Sequence, residues 1–225
     1  MRRWALPLLA FTLVEISAPW LLLGHAETRI DSSTTGLLIS MVPLIAAIIV
    51  TRLGHDRLDA RRIVGLAIGF AGVATLVGLD IHLSDLPAAA ALFLASTGYA
   101  VGPIIIDRKL RDVPPMGVVA GSLAIATLLY APFVPALWPA YATPAAVGSI
   151  AMLGVLCTAI AFVLFFALIA DVGPARATVI AYVNPLVAAL LGVLVLREPM
   201  TLGMAIGFPL VIVGSVLATR SRAAQ

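Results

Sequence analysis

Residues 32–77, SSTTGLLISMVPLIAAIIVTRLGHDRLDARRIVGLAIGFAGVATLV, and residues 175–218, ARATVIAYVNPLVAALLGVLVLREPMTLGMAIGFPLVIVGSVLA, carry one pattern twice. Each opens on small residues and passes a proline within an apolar run. Each then reaches an acidic residue and closes on a glycine-containing apolar stretch. The register is gapless: residues 11–78 lie over residues 153–220 at an offset of 142. Pro43 falls on Pro185, Gly65 on Gly207, Gly72 on Gly214, Asp56 on Glu198 and Leu58 on Met200. Each copy holds three apolar segments. A repeat of membrane spans is the sequence mark of secondary carriers, whose site forms near the bilayer midplane where the repeats meet.

Outward from the repeat, the composition agrees. The 225 residues are 62% hydrophobic and 11% charged, against about 25% charged in soluble domains. Residues 32–51, 63–79, 86–106, 113–170, 177–196 and 199–219 contain no Asp, Glu, Lys or Arg. A helix needs roughly 20 apolar residues to cross the hydrocarbon core. Most of these runs fit one crossing, and 113–170 fits two, broken between Trp138-Pro139 and Thr143-Pro144. The expected spans are 4–25, 33–52, 62–79, 86–106, 115–137, 145–169, 175–196 and 201–219. The fold class that follows is an all-α membrane protein, a polytopic bundle of about eight transmembrane helices.

Threading eight spans from a cytoplasmic N-terminus leaves twelve basic residues inside: Arg2, Arg3, Arg52, Arg57, Arg61, Arg62, Arg108, Lys109, Arg111, Arg176, Arg220 and Arg222. Only Arg29 and Arg197 remain outside. That asymmetry predicts a multi-pass protein of the cell (plasma) membrane with both termini cytoplasmic. The net charge of +3 therefore reports topology, and no nucleic-acid partner is expected. Arg2-Arg3 with Gly24-x-Ala26 resembles a secretory signal. The apolar stretch is too long for one, however, is interrupted by Glu15, and aligns with the internal segment 146–168, so it is read as a retained span.

Spans one to three repeat as spans six to eight. Five spans separate equivalent helices, an odd number, so the two units must insert with opposite orientation, as an inverted-topology repeat. Spans four and five have no earlier counterpart. The expected division is 1–79 as a first, N-terminally incomplete unit and 80–225 as a second unit of five helices.

The two quoted stretches resemble the EamA-type transporters of the drug/metabolite transporter superfamily. The resemblance lies in the small-residue entry, mid-span proline, following acidic residue and glycine-containing last helix, each present twice. It implies ten helices in two inverted five-helix halves, of which this chain resembles helices three to ten. It also implies a secondary transporter, exporting small metabolites, amino acids or drugs by alternating access more often than importing them. The alternative is an incomplete or helper membrane protein that needs a partner chain or a longer N-terminus to transport.

Of the eleven acidic residues, only Glu15 lies deep within a span. A carboxylate there costs about 2.5–3.5 kcal/mol on insertion scales and marks a pathway by default. Pro19, four residues on, frees the carbonyl of residue 15. Two roles fit Glu15: a site for a substrate amine or a coupling proton, or a neutral carboxyl hydrogen-bonded to a neighbouring helix. Its repeat mate is Cys157, so either role is asymmetric. Tyr99, Tyr182 and Asn184 are the other pathway candidates. Pro19, Pro43, Pro103 and Pro185 are the helix-break candidates, each freeing a carbonyl that serves a ligand or a packing kink. Gly98 and Gly102, Gly65 and Gly69, and Gly203 and Gly207 have the spacing of helix contact faces.

No nucleophile-and-base pair appears, and GLAIGFAG lies within a span after no strand, so it is no dinucleotide loop. Cys157 is the only cysteine, and the three histidines lack ligand spacing. No enzyme activity, cofactor or metal is expected. The expected partners are a small-molecule substrate and the lipid bilayer, with a homodimer among the candidate assemblies.

Overall fold

The computed structural model describes residues 2–54, 59–137, 139, 141–172 and 180–219. Its helical segments are α1 (Arg3–Ala26), α2 (Ser32–Arg52), α3 (Ala60–Asp80), α4 (Leu83–Leu110), α5 (Pro115–Ala136), α6 (Pro144–Leu168), α7 (Ile180–Leu194) and α8 (Leu202–Thr219). Seven of them are long and apolar enough to cross a membrane, and α7 is shorter, with its expected start at 175 outside the described residues. The described residues contain no strand. The protein is an all-α, multi-pass membrane protein.

Local chemistry sets the helix ends. Asp59 accepts the Arg62 amide at 2.9 Å to start α3, and the Thr143 hydroxyl accepts the Ala146 amide at 3.1 Å to start α6. These side chains satisfy amides that a helix start leaves without partners. Gly54, with φ of 74°, turns the chain out of α2. The α8 start is capped from another helix: Asp80, ending α3, accepts the Thr201 hydroxyl at 2.6 Å and the Gly203 amide at 3.2 Å.

Packing of α3 on α8 is the largest helix–helix contact, and it identifies the symmetry. A methyl group on Gly72 would lie 2.7 Å from the Gly207 carbonyl oxygen, and one on Gly65 would lie 2.8 Å from the Gly214 carbonyl oxygen. Gly65 and Gly207 are repeat mates, as are Gly72 and Gly214. Each glycine thus touches the mate of the other, the reciprocity of a two-fold contact. Order along α8 runs opposite to order along α3, so the two-fold axis lies across the helices, in the membrane plane. This is the inverted-topology repeat.

Helices α2 and α7 also pack antiparallel, without that reciprocity. A methyl on Gly36 would meet the Ala188 side chain at 2.7 Å, and one on Gly192 would meet the Ser33 side chain at 2.7 Å. Helix α2 breaks at Ser40–Met41, between Ser32–Ile39 and Val42–Arg52, just before Pro43. Only its first half packs extensively on α7; the second half packs on α4 and α8.

Helix α1 packs on α4 and α5. Its middle, Thr12–Ser17, is wound as a π-helix ahead of Pro19, and α6 carries a π-helix at Val155–Ile160. These segments enclose the repeat mates Glu15 and Cys157. Ala161 stands in α6 where α1 has Pro19, so proline is not what the two share. The packing of the mates differs as well. None of α6 is buried over its most apolar window, and Cys157 is exposed although a lone cysteine within a span is usually a packing residue.

Candidate functional site

A cavity of about 670 Å³ lies between α1, α2, α4 and α7. From α1 it takes Glu15 and Leu23, from the turn after α1 Glu27, and from α4 Tyr99. From α2 come Ser32, Thr35, Ser40 and Pro43, and from α7 come Asn184, Pro185 and Gly192. The repeat-related prolines therefore face one space. Glu15 sits at the middle of α1 and Glu27 just past its end, so the cavity runs from the bundle middle to that end of the helices.

Glu15 is seated by two sequence features. The π-turn places it, and Gly102 makes room, since a Cβ there would overlap the Glu15 carboxyl. One turn earlier on α4, Gly98 admits the Val14 carbonyl, and a Cβ there would also lie 3.0 Å from the Pro19 ring. The Glu15 Oε2 atom is buried, and no donor among the described residues reaches it. Tyr99 lines the same cavity as Glu15. No Lys, Arg or His lines the cavity among the described residues.

At the mouth, Glu198 bridges from the α7–α8 connection to the start of α2. Its carboxylate accepts the Ser32 amide at 3.0 Å and the Ser33 amide at 2.9 Å. Burial alone would raise the Glu198 pKa, but hydrogen bonding from Ser33 and Ser32 outweighs it and holds the value below the ordinary 4.5. Glu27 moves the other way, raised first by burial and then by the negative charge of Glu198.

The sequence candidates separate cleanly. Glu15, Tyr99, Asn184, Pro43 and Pro185 line the cavity. Pro19 is buried against Gly98 instead. Pro103 lines a different cleft of about 260 Å³, with Val50, Leu53, Ile104, Asp107 and Arg108. The side chain of Tyr182 lies outside the described residues. Sequence reading had not picked out Glu27, which sits in a connection far from the repeat's landmarks. It registered Glu198 only as the mate of Asp56, an acid after each apolar run. Among the described residues no group of His, Cys, Asp and Glu could hold a metal.

Comparison with known proteins places this architecture. Over 208 residues the chain is 23% identical to an "Uncharacterized transporter" of Archaeoglobus fulgidus, covering 92% of this chain and 75% of that protein. Over 174 residues it is 33% identical to the "Uncharacterized inner membrane transporter YedA" of Escherichia coli K12, covering 73% of this chain and 54% of that one. It is also 26% identical over 208 residues to a "Probable terminal-alkyne amino-acid exporter" of Streptantibioticus cattleyicolor, covering 91% and 70%. A solved crystal structure superposes with a TM-score of 0.65 at 22% identity, covering 95% of this chain and 75% of that one, a likeness of fold. Residues 86–220, from α4 to the end of α8, match the model of the EamA-like transporter family. With the inverted repeat, that match makes the chain a membrane transporter belonging to the EamA-like transporter family.

Proposed function

We propose that the chain is a secondary carrier that exports small metabolites, amino acids or drugs by alternating access. One observation carries the reading: the wall between the two cavities is thin. The large cavity ends at Pro43 and Tyr99, while the opposite cleft begins at Val50 and Pro103. Those limits are seven residues apart on α2 and four apart on α4, about 10 Å and 6 Å of helix at 1.5 Å per residue. Rocking one repeat against the other about the two-fold would transfer that barrier from one side to the other. The break in α2 at Ser40–Met41 is a natural hinge, since its halves pack on different neighbours.

With both termini cytoplasmic in the plasma membrane, as the basic residues favour, the large cavity opens outward. Reporter fusions after residues 82 and 222 should then report opposite sides. In this reading the units 1–79 and 80–225 are halves of one machine, joined through α3–α8 and α2–α7. It assigns the chain no enzymatic step.

The test uses single cysteines at Ser40 and Ile104 in a Cys157→Ser background, probed with a membrane-impermeant maleimide from each side. A carrier should label Ser40→Cys from outside and Ile104→Cys from inside, with the two reactivities moving in opposite senses when a substrate or pH gradient is applied. Reactivities that stay fixed, or that rise and fall in the same sense, would sink the carrier.

A second reading rests on α6. Its mate α1 is clasped by α4 and α5, whereas α6 is unburied. In that reading the chain is a helper, or part of a larger bundle, and α6 is covered by a partner chain, a second copy in a homodimer, or further helices. A blue-native gel with flux measured on the chain alone separates the two: a monomer that transports excludes the helper.

A further inference from the structure

We propose that the cavity takes an organic cation, a protonated amine on an apolar body, with Glu15 as its deep counter-charge and Glu27 as the selector at its mouth. The inference rests on the carrier reading and names the class of its substrate.

The charge of the wall is one-sided. Its two carboxylates, Glu15 and Glu27, stand at opposite ends, and no basic side chain among the described residues faces them across the cavity. The nearest arginines in sequence do not line it: Arg29 pairs with Asp85 at 3.8 Å, and Arg197 sits on the connection after α7. An anion entering this space would meet two carboxylates and no compensating charge. An ammonium group brings three donors and no acceptor, and the deep end offers an acceptor that lacks a donor: Glu15 Oε2 is buried and unmatched among the described residues. A neutral ligand of the same shape would leave out the charge that strengthens this hydrogen bond.

The remaining wall defines the body of the ligand. Leu23, Ile39, Val42, Pro185, Ala188 and Leu191 present an apolar surface between the two glutamates. A volume near 670 Å³ lies within the range of about 300–1,000 Å³ usual for small-molecule sites. Tyr99, which lines the cavity with Glu15, adds an aromatic ring, which attracts a cation over its face. An amine carrying an aromatic or branched apolar group satisfies all of these features together.

The experiment uses the full chain in nanodiscs at pH 7 and three probes of matched shape: 2-phenylethylamine, the neutral 2-phenylethanol and the anion 3-phenylpropanoate. Binding is read by calorimetry. The amine should bind at least tenfold more tightly than the alcohol, and the propanoate most weakly. Glu15→Gln should remove the preference for the amine. Glu27→Gln, at an exposed position that leaves the bundle intact, should weaken the amine several-fold and reduce its salt dependence without affecting the alcohol. Equal binding of the three probes, binding of none, a preference for the anion, or an amine preference unchanged in both variants would overturn the assignment. The carrier reading stands or falls separately on the cysteine accessibilities. If those alternate while the probes bind without regard to charge, only the cation is lost. If they never alternate while the amine binds selectively, the carrier is lost and the cation site remains.

Discussion

The carboxyl of Glu15 fills the space that a side chain on Gly102 would need, so the acid of α1 and the glycine of α4 are one fitted pair. Gly102→Ala should destabilise the protein by about 1–3 kcal/mol, the usual cost of overpacking, read as a lower Tm in detergent. Glu15→Ala alone should be milder in packing terms. The double variant should recover much of the loss, because residues in contact are non-additive. Additive losses would mean that the two groups do not share that space.

Glu15→Gln tests the chemistry rather than the fit. The amide keeps the shape and hydrogen-bonding capacity of the carboxyl while removing its titration. In proteoliposomes, a pH gradient should drive substrate flux through the wild-type chain and not through the variant, with the Tm within a few degrees of wild type. A variant whose flux keeps an unchanged pH profile would make Glu15 a structural residue.

Much of this was legible in the sequence. The charge-free runs locate the helices, since a span must be apolar over its whole length. The register of Gly65, Gly72, Gly207 and Gly214 anticipates the two-fold contact, since only glycine lets two backbones approach that closely. Contacts made by connections were not legible. Glu27 and Glu198 are distant in the chain and meet only because α7 returns to the start of α2. Pro19 and Pro103 show the limit of reading a proline as a site marker: each breaks the same ladder as Pro43, but local packing turns them away from the cavity. Hydropathy is equally silent on α6, since a lipid-facing helix and a buried one are both apolar.

The two mouth acids give a pH dependence with opposite signs. Glu198 has a lowered folded pKa, so its contribution to stability is present above its unfolded value and is lost as pH falls through the folded one. Glu27 has a raised folded pKa, so its contribution is present below the unfolded value and is lost as pH rises through the folded one. Each unfolded value is near the ordinary 4.5. Glu198→Gln should therefore flatten the fall in Tm on the acid side of about pH 4.5. Glu27→Gln should raise Tm at pH 6–7 relative to wild type. A wild-type-like acid limb in Glu198→Gln would remove the bridge to Ser32 and Ser33 as its cause.

The reciprocal glycines make the last prediction, one that separates symmetry from mere proximity. Gly72 and Gly78 lie on the same helix, but a Cβ on Gly72 meets the Gly207 carbonyl at 2.7 Å whereas one on Gly78 meets nothing within 4 Å. The neighbour of Gly72 is backbone, which cannot step aside as a flexible side chain can. Gly72→Ala should thus force α3 from α8 and cost at least about 1–3 kcal/mol. Gly78→Ala should be neutral or stabilising by up to about 1 kcal/mol, since alanine is the better helix former. If α3 and α8 are related by a two-fold, the loss must recur at the mates. Gly207→Ala would place its methyl 2.8 Å from the Gly72 carbonyl, and Gly214→Ala would place one 2.6 Å from the Gly65 carbonyl. Gly65→Ala, Gly207→Ala and Gly214→Ala should each lower Tm about as much as Gly72→Ala, while leaving the mouth acids and their pH dependence unchanged. A loss confined to one helix, with its mates tolerant, would mean that the contact is not reciprocal.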